Sequence, residues 1–188
     1  FPLTSGPYAE RASLLVWTTT PWTLVSNTAV AVNPAVTYVV ADNGQELLMV
    51  AEALVGTLGE GWEISDRFEG SSMERWTYQR PFELVEFPAV AEGGTPPHIV
   101  VLADYVTTED GTGLVHQSPA FGEDDFLSCR RNGVAMVNPI DAQGHFLDGI
   151  PLVGGQFFRH ANTDLVEDLT ARGLLFKHVP YEHSYPHC

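Results

Sequence analysis

TAVAVNPAVTYVVADNGQELLMVA, residues 28–51, holds three short β-branched runs: TAVAV (28–32), TYVVA (37–41) and ELLMVA (46–51). Asn33-Pro34 and Asp42-Asn43-Gly44 separate them, and both are turn signals, so the stretch predicts three strands joined by tight connections. Asp-Asn-Gly is the strongest hairpin signal in the chain, because Asn and Gly accept the positive φ that a two-residue hairpin turn needs. Working outward, ASLLVW (12–17) predicts a buried strand before this block and HIVVLADYV (98–106) another after it. Residues 1–11 read as a lead-in strand or linker. Two helices are expected. One runs from about 122 to 132 and stops at Gly133; the other runs from about 162 to 172, with Asn162 as N-cap, an Asp168/Arg172 pair four apart and Gly173 as stop. Strands outnumber helices and do not alternate with them, which favours a mainly β or α+β, barrel-like domain over a doubly wound sheet.

A length of 188 residues fits one domain, with 44% hydrophobic and 18% charged residues, a mixture that buries a core. The 24 acidic residues outnumber the 9 basic ones, for a net charge of −15, a surface that repels polyanions unless its few cations are concentrated. Much of the acidity lies in 52–98, which reads as peripheral strand and loop. Residues 1–41 carry only Glu10 and Arg11. Two cysteines, Cys129 and Cys188, make no disulfide framework and point to a reducing compartment. No run reaches the ~18 apolar residues of a membrane span. The Phe1-Pro2-Leu3 start suggests a fragment of a larger cytoplasmic protein.

Three stretches stand out as candidates for chemistry, because polar residues interrupt otherwise apolar or structural sequence. In Thr18-Thr19-Thr20-Pro21-Trp22-Thr23-Leu24, with Asn27 beyond, a strand end passes into a helix start at Pro21, with Thr20 as candidate N-cap. Such a junction either serves structure alone or presents hydroxyls and free N–H groups to an anionic or carbonyl oxygen. In GTGLVHQSPAFGEDDF (111–126), His116 follows a strand-like Leu-Val and Asp125 falls in the first turn of a helix, where an acid is also favoured simply by the helix dipole. Glycines 111, 113 and 122 suggest close backbone approach. A Ser118/His116/Asp125 triad is the hydrolytic alternative, although Ser118 lacks a nucleophile-elbow pattern. In HSYPHC (183–188), His183, His187 and Cys188 invite a zinc reading but lack a fourth ligand and a paired Cys-x-x-Cys.

Together, WTTTPWTL with Asn27 and GTGLVHQSPAFGEDDF resemble the editing domain inserted into the catalytic fold of isoleucyl-tRNA synthetase. The resemblance runs from ASLLVWTTTPWTL through LADYV and GTGLVH to GLLFK and HSYPHC. Thr20 and His116 distinguish it from the related leucyl and valyl domains, which typically have an arginine at the first position and no histidine at the second. The resemblance implies one β-barrel-rich α+β editing domain over 1–188, with 183–188 as exit segment. Its activity would be hydrolysis of valine from isoleucine tRNA. It also implies that Asp125 holds the substrate α-ammonium. Thr18, Thr19 and Thr20 would line the catalytic pocket, with Thr23, Asn27 and Trp17 as further substrate contacts and His116 as a wall against isoleucine. The water would be oriented by hydroxyls and the neighbouring ribose, without metal or covalent intermediate. No cofactor is implied here, ATP and Mg belonging to the parent's synthetic half, whose ATP-binding motifs this sequence lacks. The implied partners are the 3′ end of isoleucine tRNA carrying valine, valine or valyl-adenylate-like ligands, and the rest of the synthetase, with no membrane. The rivals are an esterase using Ser118 and His116, and a non-enzymatic module that binds through the acidic 52–92 face.

Overall fold

The computed structural model describes residues 1–179, so the 183–188 segment lies outside the described residues. The strands expected from the 28–51 block form as β2 (Ala29–Val32), β3 (Thr37–Asp42) and β4 (Leu47–Ala51). A hairpin joins β3 and β4 where the sequence predicts one, but of the two turn residues only Gly44, and not Asn43, takes a positive φ. Asp42 and Asn43 carboxyl and amide oxygens accept the N–H groups of Gly44, Gln45 and Glu46, and Gly44 takes φ +80°.

Before that block, β1 is Ala12–Leu14, shorter than the ASLLVW run, and the chain then bends toward a 3₁₀ helix over Pro21–Ser26. After it come β5 (Glu63–Glu69), β6 (Ile99–Leu102) and β7 (Leu114–Gln117). One mixed sheet has the order β1-β4-β3-β5 and the other β6-β2-β7. In the first, β1 and β4 are parallel while β3 is antiparallel to both its neighbours. In the second, β2 runs parallel to β6 and antiparallel to β7.

Single-residue pairings join the two sheets. Trp17 pairs with Val115, Thr77 with Ile99, Leu3 with Tyr78, and Pro2 with Ser13. Pairing therefore runs from β1 through Pro2–Leu3, Thr77–Tyr78, β6, β2 and β7 and returns to Trp17, a barrel-like ring. Each member supplies an apolar side chain to one core: Leu14, Leu3, Tyr78, Val100, Val30 and Leu114. Every residue of β2 is buried, as expected for a central strand covered on both faces. At the other extreme, β5 alternates exposed and half-buried residues and puts Glu63, Arg67 and Glu69 outward, so its charges guard an edge.

The 52–98 segment is peripheral only in part. It forms 3₁₀ turns, the β5 edge and loops, yet Met73, Tyr78 and Phe82 are buried from it. Helices α1 (Glu123–Arg131) and α2 (Ala161–Ala171) form as expected, and Gly133 and Gly173 follow them at φ +67°. One cap differs. His160 holds the N-cap position of α2, and Asn162 sits inside the helix, where its Oδ1 accepts the Trp22 N–H at 2.9 Å. Asn162 thus satisfies an orphan N–H in the first turn of a different helix, a contact no local pattern encodes. Leu24 and Val25 pack there against Ala161, Leu165 and Leu169, forming a second core with Phe82, Phe146 and Val153. The Asp168/Arg172 pair forms, and Arg172 also donates to the Pro81 carbonyl at 2.7 Å. Among the described residues, no helix is long and apolar enough to cross a membrane.

Candidate functional site

The threonine strip lies where the barrel strand ends and the 3₁₀ helix begins. Thr20 occupies the N-cap position, but its hydroxyl does not cap a backbone N–H. It contacts Thr23 Oγ1 at 2.9 Å instead, while Thr18 Oγ1 accepts the Thr20 N–H at 3.1 Å. Thr23 Oγ1 donates to the Thr20 carbonyl at 2.7 Å, the back-bonding that hydroxyl residues adopt in a first helical turn. Thr19 is exposed and, with Trp17, Thr18 and Pro21, forms one wall of a cleft of about 1100 Å³. Asn162, Thr163 and Val166 of α2 line the same cleft.

Behind the strip, β7 carries His116 inward. Its Nε2 lies 3.0 Å from Thr23 Oγ1 and its Nδ1 2.8 Å from Asn27 Nδ2. Asn27 in turn donates to the Ala29 carbonyl at 3.1 Å and accepts the Tyr78 hydroxyl at 2.7 Å. Burial pushes the His116 imidazole down to about 3, against an opposing hydrogen bond to the Thr23 backbone, so the ring is neutral at any physiological pH. Five of the residues singled out in the sequence, Thr18, Thr20, Thr23, Asn27 and His116, therefore form one network.

Asp125 joins it through the turn between β7 and α1. One carboxylate oxygen accepts the Ser118 N–H at 2.8 Å, and Ser118 Oγ lies 2.7 Å from Ser26 Oγ in the 3₁₀ helix. This disposes of the triad geometry. Ser118 is 1% exposed and paired with Ser26, while both ring nitrogens of His116 are engaged by Asn27 and Thr23. Gly122 makes the Asp125 conformation possible, since a Cβ there would stand 2.9 Å from Asp125 Cγ. Burial raises the Asp125 carboxyl from 3.8 to about 6; the Ser118 N–H opposes that rise and Asp124 adds to it. Among the described residues no cation lies within ion-pair distance of Asp125.

The other two glycines of the motif also act through close approach. Gly111, at φ +74°, would place a Cβ 2.8 Å from the Trp17 ring, and Gly113, at φ +75°, would place one 2.5 Å from Ala51 Cβ. Trp17 is fixed to the same segment by its N–H, which donates to the Leu114 carbonyl at 3.1 Å. Tyr78 and Ser26 escape the sequence reading, and Asn162 enters it only as the cap of its own helix, because each acts across a long gap in the chain. The metal reading of His183, His187 and Cys188 lies outside the described residues, and among those described no three His, Cys, Asp or Glu side chains converge as a metal site.

No family model matches the chain. Solved structures define its fold. It superposes on the crystal structure of GlLeuRS-CP1 with a TM-score of 0.69 at 14% identity, covering 93% of this chain and 86% of that one. The cytosolic leucyl-tRNA synthetase editing domain of P. falciparum follows at 0.59 and 8%, covering 88% and 78%. The architecture is thus that of the editing domains carried by class I tRNA synthetases. In sequence the chain is 69% identical to an isoleucine–tRNA ligase of Streptomyces avermitilis and 67% identical to one of Streptomyces coelicolor, in each case over 100% of this chain and 18% of the relative. The ligase of Thermus thermophilus is 46% identical over 95% of this chain and 16% of its own length. Over its whole length the chain matches a segment of isoleucine–tRNA ligases, and it spans less than a fifth of the length of the curated relatives it matches.

Proposed function

We propose that this domain hydrolyses the ester that links a wrong amino acid, chiefly valine, to the 3′ adenosine of isoleucine tRNA. The observation that carries the reading is Asp125, a half-buried carboxylate that accepts the Ser118 N–H, has a raised pKa and has no cation beside it among the described residues. An α-ammonium is the cation that such a group would hold, and a charge-assisted hydrogen bond would orient the ester carbonyl next to it. Asp125 is then an anchor. Once paired with an ammonium it is too weak a base to activate water.

The remaining roles follow from the network. His116, neutral and held at both nitrogens, serves as a rigid wall, and rejection of one extra methyl group by a rigid wall is steric. The threonine hydroxyls, with the ribose hydroxyl next to the ester, orient the attacking water. Isoleucine exceeds valine by one methylene, and the ~1–3 kcal/mol that a single hydrophobic pocket generally gains from one methylene is too little to separate them, so a second site that admits the smaller product is needed.

Activation of isoleucine, grip on the tRNA body, and the use of ATP and Mg belong to the rest of the synthetase in this reading, and the setting is cytoplasmic. The net charge of −15 supports the division of labour, since it opposes autonomous binding of the tRNA body. Only the flexible 3′ end need enter, beside a 1–41 segment whose charges are Glu10 and Arg11 alone. Deacylation of valyl- against isoleucyl-tRNA tests the reading. Release of valine with isoleucine retained is expected, and equal or absent release refutes it.

A further inference from the structure

We propose that Tyr78 is a positioning residue for this hydrolysis: by clamping Asn27 it fixes the direction of a hydrogen-bond chain that leaves Thr20 Oγ1 offering only lone pairs to water or substrate. The inference rests on the hydrolytic reading and adds a residue from outside both motifs.

Proton accounting carries it. A carbonyl only accepts, so the group of Asn27 that lies 3.1 Å from the Ala29 oxygen is its amide nitrogen. Its two protons go to Ala29 and to His116 Nδ1 at 2.8 Å, which makes Nδ1 an acceptor. The neutral ring therefore carries its proton on Nε2, which donates to Thr23 Oγ1 at 3.0 Å. Thr23 has one hydroxyl proton, committed to the Thr20 carbonyl at 2.7 Å. Its 2.9 Å contact with Thr20 Oγ1 must then use the proton of Thr20. Thr20 Oγ1 is left as an acceptor, with Thr18 Oγ1 at 3.4 Å as the donor to one of its lone pairs; the other is suited to orienting the O–H of an attacking water or of a ribose, and cannot stabilise a developing oxyanion.

The chain is anchored at its far end by Tyr78, which is 4% exposed and packs its ring 5.4 Å from Phe1 in the barrel core. Its hydroxyl donates to Asn27 Oδ1 at 2.7 Å. Without that donor, Oδ1 is a buried acceptor lacking a partner, and Asn27 gains by rotating to find one. Rotation releases His116 Nδ1, and a proton gained there turns Nε2 into an acceptor that draws the Thr23 proton away from the Thr20 carbonyl, so the strip loses the 2.7 Å bond that holds Thr20 in place.

The test is Tyr78→Phe, with Tyr38→Phe as control. Tyr38 is an equally buried core tyrosine whose hydroxyl serves Gly113 and Asn33 instead. In the unmodified chain, ¹⁵N NMR of labelled histidine should show His116 protonated on Nε2 and unprotonated on Nδ1. In Tyr78→Phe that pattern should be lost. In the full synthetase, kcat for valyl-tRNA deacylation should fall on the order of 10- to 100-fold with KM within about twofold. Tyr38→Phe should keep both tautomer and kcat. A proton on Nδ1 in the unmodified chain overturns the proposal, and so does a Tyr78→Phe enzyme with unchanged kcat. Should Tyr78→Phe not fold, Asn27→Asp replaces it, because a carboxylate facing Nδ1 demands a proton there and must reverse the tautomer with a similar loss of kcat. Absence of valyl-tRNA hydrolysis by the unmodified enzyme refutes the hydrolytic reading itself and the catalytic role of Tyr78 with it. The tautomer result still decides the hydrogen-bond chain separately.

Discussion

Replacing Asp125 with Asn should stabilise the fold while abolishing activity, a combination that separates a ligand anchor from a structural residue. The amide matches the carboxylate in size, and its oxygen can keep the 2.8 Å hydrogen bond from the Ser118 N–H. What disappears is the charge. A carboxyl raised from 3.8 to about 6 costs the folded state roughly 3 kcal/mol once ionised, an upper figure because part of the group meets solvent. The opposing attraction of the α1 N-terminus is about 0.3–1 kcal/mol, too small to reverse the sign. Between pH 3.8 and 6 the native state holds the proton more tightly than the unfolded chain, so this group's cost grows as pH rises through that window and is fully present above it. Asp125→Asn should therefore be about 1–3 kcal/mol more stable than the unmodified chain at pH 8, with the gap narrowing by pH 5. Urea titration followed by tryptophan fluorescence reads it as a shift in midpoint at constant slope. Valyl-tRNA deacylation by the same variant should fall on the order of 100-fold or more. A variant destabilised at pH 8 would refute the reasoning, since the fold would then be using the charge that a substrate is supposed to need.

Buried His116 and half-buried His98 act in the opposite sense. His116 and His98 are pushed by burial from 6.5 to about 3 and about 4, with Arg80 adding to the effect at His98, so the unfolded chain takes up protons first and stability is lost as pH falls below 6.5; urea midpoints between pH 7 and 4.5 should decline, and a flat profile contradicts it. Gly122→Ala meets no backbone obstacle at φ −136° but drives a Cβ to 2.9 Å from Asp125 Cγ. Its stability should stay within ~1 kcal/mol of the unmodified chain while deacylation drops steeply, and full activity would show that the Asp125 rotamer is irrelevant. Ser118→Ala should retain most deacylation, because its hydroxyl contacts Ser26 while Asp125 is held by its backbone N–H; complete loss would revive a serine nucleophile.

The sequence made the strands legible where local rules govern. Asn33-Pro34 and Asp42-Asn43-Gly44 punctuate β-branched runs, and each run forms its strand within a residue or two. Helix stops at Gly133 and Gly173 were readable because a left-handed position after a helix favours glycine. The site was legible through two motifs whose residues meet in the fold, Thr18 to Asn27 from one side and His116 to Asp125 from the other. What sequence could not supply were contacts set by topology. Asn162 looked like the cap of its own helix and caps another, because its helix packs on the 3₁₀ turn. Tyr78 sits in an acidic stretch that reads as periphery, yet it pairs with Leu3 in the barrel ring and points its hydroxyl at Asn27, 51 residues away in sequence. Thr20 was expected to cap with its side chain; its hydroxyl instead bonds Thr23, which places it in the His116 network.

The proposed activity, removal of the wrong amino acid from isoleucine tRNA by this domain, is tested most directly by incubating a synthetase carrying it with valyl- and isoleucyl-tRNA of the isoleucine acceptor and measuring ester hydrolysis. The account predicts rapid release of valine, retention of isoleucine, and loss of the valine reaction in Asp125→Ala. Undiminished valine release by Asp125→Ala, or equal release of both amino acids, would contradict it.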